Sequence, residues 1–288
     1  MNKIGFIGLG NMGFHMSKNL AENGFLVDGF DTSEKALQKM KQTKVDISKS
    51  FEEVCKNKNF IITMLPDGKA VKNVWSNAIK LVKNDTIIVD CSTIDINDAQ
   101  NLHKICKNEN IESIDAPVSG GTIGAQNGTL TFIVGGSEKI YEKVKPLFDV
   151  MGQKSILCGE GGSGQATKLC NNLLLAVTMS GLGESLKLAN SFNLNLEKFF
   201  EVISTSTGSC WALNNYFPVK NIGPISPADN EFKPGFSSKL MLKDLKLAKE
   251  GAENNNLKLD LNNYVIKKYE NLIEKNKGEF DFSVIVKN

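Results

Sequence analysis

The 288-residue chain has little of what marks metal-binding, membrane or nucleic-acid-binding proteins. It has only two histidines, and its six cysteines form no CxxC pair, which argues against a zinc site. No apolar run approaches the length of a bilayer span, so no membrane partner is expected. The 34 basic and 32 acidic residues nearly balance, leaving no large charge excess to bind nucleic acid. A metal site, a membrane partner and a nucleic-acid partner are therefore not expected.

The scattered cysteines also bear on location, because they are too sparse for a disulfide framework and fit reduced thiols. Strand-like sequence begins at Lys3 with no charged and apolar leader before it. Both observations lead us to expect a cytoplasmic protein. With 41% apolar residues and this length, two domains around a cleft are the expected organisation.

Short apolar runs alternate with helical patterns through the first half of the chain, an order typical of a parallel, doubly wound sheet. We therefore predict an α/β fold, with an N-terminal Rossmann-type domain over 1–162. The predicted helices cover 12–23, 33–41 and 96–108. The predicted strands are KIGFIG, FLVDGF, FIITML, TIIVDC, IESIDA, LTFIVGG and SILCG.

The second half is almost wholly helical in pattern, which predicts an all-α domain over 163–288. It opens with a helix over about 165–192 that is apolar on more than one face, as expected for a long helix buried between domains or subunits. Four prolines in 216–235 predict an ordered loop, and helical periodicity returns at LMLKDLKLAKEGA.

A glycine-rich turn, GLGNMG, follows the first predicted strand and opens the first predicted helix. Gly8 permits the tight turn, Gly10 lets the backbone approach a pyrophosphate, and Gly13 allows close helix packing. Asn11 and Met12 begin the helix, where free N–H groups meet the phosphates. We predict a dinucleotide site here; a glycine turn that binds nothing is the alternative.

Asp31 follows the second predicted strand, at the distance expected for the carboxylate that accepts hydrogen bonds from the adenosine ribose. A carboxylate there repels a 2′-phosphate, and no arginine follows to neutralise one, so NAD is favoured over NADP. A solvated turn aspartate is the alternative. Leu65, Pro66 and Thr93 follow later strands at the same predicted edge and are further candidates for cofactor contact. An ordinary strand-ending turn is the alternative for each of them.

Small residues in DAPVSGG place Ser119, Gly120 and Gly121 together, where exposed N–H groups can form a nest for a substrate carboxylate. A flexible surface loop explains them equally well. Lys168 and Asn172 lie one helical turn apart at the start of the long apolar helix. A solvated lysine is the alternative for Lys168. Burial beside positive charge would lower the pKa of Lys168 toward the range useful for proton transfer.

Together, GFIGLGNMG, TMLP, DCSTID, DAPVSGG, GSGQATKLCNN and LMLKDLKLA resemble the β-hydroxyacid dehydrogenase family across essentially the whole chain, and within it the 3-hydroxyisobutyrate dehydrogenases. The resemblance implies an NAD-dependent enzyme acting on a small hydroxy acid in valine degradation. It also implies a homo-oligomer, either a dimer or a tetramer. It assigns catalysis to Lys168 with Asn172, and substrate binding to Ser119, Gly120 and Gly121.

The same resemblance assigns cofactor contact to Lys243, although Lys243 and Asp244 alone would be interpreted as a solvated ion pair. It also places Trp211 and Phe236 in the substrate pocket, within a cysteine-tryptophan and proline-rich segment. Tartronate semialdehyde reductase, or another small semialdehyde oxidoreductase, remains an alternative function. A second alternative is a non-catalytic module that binds NAD.

Overall fold

The computed structural model describes residues 2–287 and divides into two compact units, Met1–Lys168 and Leu169–Asn288. The first unit alternates strands and helices. Its elements are β1 Lys3–Ile7, α1 Asn11–Glu22, β2 Leu26–Phe30, α2 Glu34–Met40, β3 Asp46–Ile47, α3 Phe51–Cys55, β4 Phe60–Thr63, α4 Gly68–Ala78, β5 Ile87–Asp90, α5 Ile96–Asn108, β6 Glu112–Asp115, β7 Val118–Ser119, α6 Gly121–Asn127, β8 Leu130–Gly135, α7 Glu138–Met151 and β9 Gly152–Gly159.

The strands form a single sheet in the order β3-β2-β1-β4-β5-β6-β8-β7, with β9 paired to β8. From β3 to β6 all neighbours are parallel, whereas β8 runs antiparallel to β6 and to β7. The chain moves outward from β1 to β3 and then returns to the other side of β1 at β4. That reversal is the switch point at which doubly wound sheets bind ligands.

Successive strand residues face two separate hydrophobic cores, as the period of a β-strand requires. In β5, Ile87 and Val89 belong to one core together with Leu20 of α1. Ile88, between them, belongs to the other core together with Trp75 of α4. Helices therefore cover both faces of the sheet, and the near-continuous apolar strands follow from burial on both sides.

The predicted α/β class is confirmed, and most predicted elements lie within a few residues of those observed. Ser33 and Asp95 cap α2 and α5 through their side chains. Helix α1 begins at Asn11 with Gly10 at its N-cap, one residue earlier than predicted. The two-residue strands β3 and β7 were missed, because neither carries an apolar run long enough to be recognised.

The second unit is helical. Helix α8, Ser163–Ser191, begins in the first unit and continues into the second, and both of its ends lie within two residues of the prediction. Buried aromatic and aliphatic side chains form the core of the second unit; they include Phe217, Met241 and Tyr269. Its helices are α8 Ser163–Ser191, α9 Leu196–Thr205, α10 Trp211–Asn215, α11 Ser238–Asn254, α12 Asp260–Glu274 and two 3₁₀ helices, Pro227–Asn230 and Phe282–Lys287.

The proline-rich segment 216–235 is a loop with one 3₁₀ turn, as predicted. Along residues 2–287, no helix has the length and apolar character needed to cross a bilayer. Cys55, Cys91 and Cys106 are buried free thiols, and the other cysteines are also unpaired with one another.

Candidate active site

The glycine turn joins β1 to α1. It packs closely against the protein at Gly8 and Gly13 but has open space beside Gly10. Gly8 has a φ of +96° and donates its N–H to the carbonyl of Phe30 at 2.9 Å. A Cβ at Gly13 would overlap the carbonyl oxygen of Gly8, so the helix packs against the turn only with glycine there. A Cβ at Gly10 would meet no atom of the described chain within 4 Å. The turn therefore leaves room for a pyrophosphate beside the backbone.

Asp31 lies directly after β2 and is held beside this turn. Its Oδ2 accepts the N–H of Leu9 at 2.7 Å, and its Oδ1 accepts the N–H of Ser33 at 2.7 Å. Each carboxylate oxygen keeps a further lone pair for a ribose hydroxyl. Asn11 and Met12 form the first residues of α1, where helix N–H groups lack intrahelical acceptors. These residues fit a dinucleotide without steric or charge conflict.

The loops after β4 and β5 leave the same edge of the sheet, because these strands are parallel neighbours. The N–H of Leu65 donates to the hydroxyl of Ser92 at 2.9 Å, which joins the two loops. Pro66 follows Leu65, and Thr93 follows Ser92. The structure thus brings three predicted cofactor residues to adjoining loops, and Ser92 is the connecting residue that the sequence did not reveal.

A buried carboxyl lies beneath these loops, at the end of β5. Burial raises the pKa of Asp90 to about 6, although hydrogen bonds oppose the shift. Its Oδ1 accepts from the Thr63 hydroxyl at 2.8 Å and from the Ser92 N–H at 3.1 Å. The Trp75 indole N–H donates to the same Thr63 hydroxyl at 3.2 Å. Asp90 therefore anchors the start of the Ser92 loop from below.

The predicted carboxylate nest is an ordered strand and helix start. Ser119 pairs with Thr131 of β8, and Gly120 is the N-cap of α6 with a φ of +131°. Gly121, with a φ of +62°, is the first residue of α6. The interpretation of this segment as a flexible loop is wrong, because Ser119 pairs with β8 and Gly121 begins α6. Its role in binding a carboxylate stays a prediction.

Asp115, at the end of β6, stabilises the start of α8. It is 1% exposed and accepts the N–H groups of Gly162 at 2.7 Å and Gln165 at 2.9 Å. His103 Nε2 lies 2.9 Å from the same carboxylate, and His103 Nδ1 lies 2.7 Å from the Ser113 hydroxyl. A carboxylate at a helix N-terminus satisfies free N–H groups and matches the helix dipole. Sequence reasoning missed this function because it treated Asp115 only as part of the small-residue segment.

Gln165, in the first turn of α8, is fully buried and connects that turn to the β5 loop. Its Nε2 donates to the carbonyl of Ser92 at 2.8 Å, and its Oε1 accepts the N–H of Ile94 at 3.1 Å. Both neighbours of Thr93 are therefore held by one side chain.

Lys168 and Asn172 both lie on α8 and are 7% and 2% exposed, respectively. In the second unit, Asn172 Nδ2 donates to Asp244 Oδ2 at 2.6 Å, and Asn172 Oδ1 accepts from Asn171 at 3.0 Å. Lys243 Nζ lies 3.4 Å from the other Asp244 oxygen. Asp244 is 2% exposed, so its interpretation as half of a solvated ion pair is wrong.

Trp211 and Phe236, the predicted pocket residues, belong to one aromatic group in the second unit. Trp211 stacks on Tyr216 at 5.3 Å between ring centroids, and Tyr216 stacks on Phe282 at 5.4 Å. Phe236 lies 6.1 Å from Phe282. Asp281 accepts from the Tyr216 hydroxyl and the Phe236 N–H, and burial raises the pKa of this carboxyl above its ordinary range. Trp211 is 55% exposed.

Comparison with known proteins divides the chain between two family models. Residues 3–159 match the model described as the NAD binding domain of 6-phosphogluconate dehydrogenase. Residues 162–288 match the model described as NAD-binding of NADP-dependent 3-hydroxyisobutyrate dehydrogenase. Both descriptions agree with the dinucleotide site predicted from the glycine turn, although the second names an NADP-dependent enzyme.

Individual relatives match nearly end to end. The mitochondrial 3-hydroxyisobutyrate dehydrogenase of Drosophila melanogaster is 41% identical over 98% of this chain and 87% of its own length. The NAD-dependent L-serine dehydrogenase of Pseudomonas aeruginosa is 35% identical over 100% of this chain and 97% of its own.

A solved structure, that of Mycobacterium tuberculosis 3-hydroxyisobutyrate dehydrogenase with L-serine, is 37% identical. It superposes with a TM-score of 0.95, covering 100% of this chain and 98% of that one. These matches carry both the fold and the dehydrogenase class, because the identity extends through both units. The chain belongs to the 3-hydroxyisobutyrate dehydrogenase family and is an NAD-dependent hydroxyacid dehydrogenase, as its motifs predicted.

Proposed function

We propose that the enzyme oxidises 3-hydroxyisobutyrate to methylmalonate semialdehyde with NAD, as a step of valine degradation. The observation that carries the chemistry is the burial of an amine at Lys168, one helical turn from the buried amide of Asn172. Burial of an ionisable amine has a free-energy cost, and ionisable groups in such environments are frequent at functional sites. The choice of 3-hydroxyisobutyrate as substrate is based on relatives named 3-hydroxyisobutyrate dehydrogenase, which are up to 41% identical to this chain.

In this proposal Lys168 is the general base. Its neutral amine takes the proton of the substrate hydroxyl while the carbinol C–H bond breaks and the carbon becomes an aldehyde. Bound NAD supplies the acceptor for the departing hydride. In reduction, protonated Lys168 returns the proton to the oxygen. Asn172, oriented by Asp244, positions the lysine or the substrate.

The segment Ser119–Gly121 is proposed to hold the substrate carboxylate through backbone N–H groups at the start of α6. Trp211 and Phe236 are proposed to contact the apolar part of the substrate, because they belong to the aromatic group described above. Leu65, Pro66, Thr93 and Lys243 are proposed to contact the cofactor.

NAD is proposed to be preferred over NADP, and Asp31 supports this preference. Its carboxylate is fixed by two backbone N–H groups, so it cannot swing away from a 2′-phosphate without losing both hydrogen bonds. The Asp31 carboxylate would therefore stay close enough to repel the 2′-phosphate of NADP.

L-Serine is the second candidate substrate. It is also a 3-hydroxy acid, an L-serine dehydrogenase is among the relatives, and a relative has been solved with L-serine. Reduction of tartronate semialdehyde, or of another small semialdehyde, is the alternative reaction, and a non-catalytic NAD-binding module is the alternative to an enzyme; the assay distinguishes them.

The deciding experiment measures steady-state NADH formation from 3-hydroxyisobutyrate, L-serine, glycerate and 4-hydroxybutyrate, each with NAD and with NADP. We expect the highest kcat/KM for 3-hydroxyisobutyrate with NAD. A higher kcat/KM for L-serine or glycerate would replace the proposed substrate. Absence of turnover with every compound, despite NAD binding, would support the non-catalytic module.

The enzyme is also proposed to be a homo-oligomer, a dimer or a tetramer, with a second copy on the outer face of α8. Leu174 and Leu188, about four turns apart on that helix, and the following Phe192 are each more than half exposed. Exposed apolar faces of this kind are typical of subunit interfaces. Light scattering of the wild type and of Leu188→Glu tests the proposal, since the charge should shift the protein toward monomer.

The proposed location is the cytoplasm, and its support is the set of unpaired cysteines, which suits a reducing compartment. Some relatives carry mitochondrial names, so fractionation of cells with antibody detection is the required test.

The proposed functional division has the NAD-binding domain at 1–162 and the substrate and oligomerisation domain at 163–288. Its support is the start of α8 at Ser163, which follows the exposed turn at Glu160. Limited proteolysis should cut first in that turn, whereas first cleavage elsewhere would move the boundary.

A further inference from the structure

We propose that Gln165 is a positioning residue that fixes the Thr93 loop relative to the turn of α8 that carries Lys168. The inference rests on the proposed role of Lys168 as general base. It concerns how the first unit keeps a fixed distance and orientation between the Thr93 loop and the amine of Lys168.

The first support is the bonding pattern of Gln165, which uses both ends of its amide. The Nε2 group donates to Ser92 at 2.8 Å, and Oε1 accepts from Ile94 at 3.1 Å. The two backbone groups flank Thr93, so the amide holds that residue from both sides. A side chain that only filled space would not need a donor and an acceptor in this arrangement.

The second support is burial. Gln165 is 0% exposed, and a buried amide without partners costs free energy that an apolar side chain of similar size would avoid. The backbone of Gln165 is tied as well, because its N–H donates to Asp115 at 2.9 Å. The residue therefore connects the first turn of α8 to the ends of both β5 and β6.

The third support is position along the helix. Lys168 follows Gln165 by three residues, a rise of about 4.5 Å on an α-helix, so the two lie on neighbouring turns of the same side. Movement of the first turn moves the lysine. Ser92, whose carbonyl Gln165 holds, also accepts from Leu65 through its hydroxyl. One amide thus connects the lysine turn with both loops at the cofactor edge.

The test compares Gln165→Met with Thr86→Val. Methionine matches glutamine in length but makes neither hydrogen bond. Thr86 is the matched control, since it is 0% exposed, donates to the Lys58 carbonyl at 2.8 Å, and lies at the opposite end of β5. Both variants lose buried hydrogen bonds, so both should lower Tm.

Only Gln165→Met should lower kcat, on the order of 10-fold to 100-fold, while KM and NAD affinity change little. Its primary deuterium isotope effect on kcat, with substrate deuterated at the carbinol carbon, should rise, because misplacement slows hydride transfer itself. Unchanged kcat and isotope effect in Gln165→Met would overturn the proposal, as would an equal loss of kcat in Thr86→Val.

If Gln165→Met does not fold, Gln165→Glu replaces it, since the carboxylate keeps the acceptor for Ile94 and loses the donor for Ser92. The expected and contradicting results are the same. Lys168→Ala, assayed in parallel, separates the two hypotheses. Full activity in Lys168→Ala would reject the proposed base, whereas an inactive Lys168→Ala beside a fully active, folded Gln165 variant would reject only the positioning role.

Discussion

Asn172 on α8 donates its amide to the buried carboxylate of Asp244 on α11, at 2.6 Å. The distance is short for a hydrogen bond, and Asp244 is 2% exposed. The bond fixes which way the Asn172 amide points. Asp244, which follows the proposed cofactor lysine Lys243 in sequence, therefore helps to orient Asn172 of the proposed catalytic pair.

Asp244→Ala should lower both activity and stability, because Asn172 loses the acceptor that orients it. The expected loss of unfolding free energy is about 1.5–3 kcal/mol, and kcat should fall about tenfold or more. Asn262→Ala is the control, since Asn262 is also buried and donates to the α11 carbonyl of Leu245 at 3.0 Å. Urea unfolding and steady-state assays should show lost stability in both variants but lost kcat only in Asp244→Ala. Equal kcat in the two would contradict this role.

Two glycines of the N-terminal turn should separate ligand binding from folding. Gly10→Ala should leave Tm nearly unchanged and weaken NAD binding, because the new methyl enters space that is open in the protein. Gly13→Ala should lower Tm, since its Cβ would overlap the Gly8 carbonyl. Thermal unfolding and NADH fluorescence titration make the comparison. Unchanged NAD affinity in a folded Gly10→Ala would show that the pyrophosphate lies elsewhere.

Asp31→Ser should reduce the preference for NAD. Removal of the carboxylate takes away a ribose acceptor and the charge that repels a 2′-phosphate, so the ratio of kcat/KM for NAD to that for NADP should fall about tenfold or more. Glu34→Gln is the control, because Glu34 is an exposed acid nearby at the start of α2. An unchanged ratio in Asp31→Ser would remove the basis for predicting NAD preference.

Asp90 should make stability depend on pH. Its folded pKa, about 6, lies above the ordinary 3.8, so the folded state binds the proton more tightly. The contribution of this group therefore favours folding at low pH and is lost as pH rises from about 4 to 6, by roughly 3 kcal/mol. Urea unfolding across this range should show a flatter or more positive slope in Asp90→Asn than in the wild type. Parallel slopes would contradict the raised pKa.

The sequence was sufficient for the long strands and for helices α1, α2, α5 and α8, whereas helices α3, α4, α6 and α7 were not predicted. Apolar runs buried on both faces predicted the long strands, and the side-chain caps at Ser33 and Asp95 accompanied predicted helix starts. The short strands β3 and β7 could not be predicted, because pairing with neighbouring strands, rather than their own composition, creates them.

The residues missed at the site share one property: their roles come from partners distant in sequence. Asp115 holds a helix that begins nearly fifty positions later, and Gln165 holds a loop more than seventy positions earlier. The sequence alone indicated a solvated acid at Asp244, whereas in the structure its carboxylate accepts a hydrogen bond from Asn172. Aspartate and glutamine are common on surfaces, so only burial distinguishes these three.

The most direct test of the account is single-turnover NADH formation from 3-hydroxyisobutyrate by Lys168→Ala, with NAD binding measured on the same preparation. Loss of the general base should slow the chemical step by about 100-fold or more while NAD still binds with near wild-type affinity. A rate close to that of the wild type, in a variant that binds NAD normally, would show that Lys168 is not the group that moves the proton.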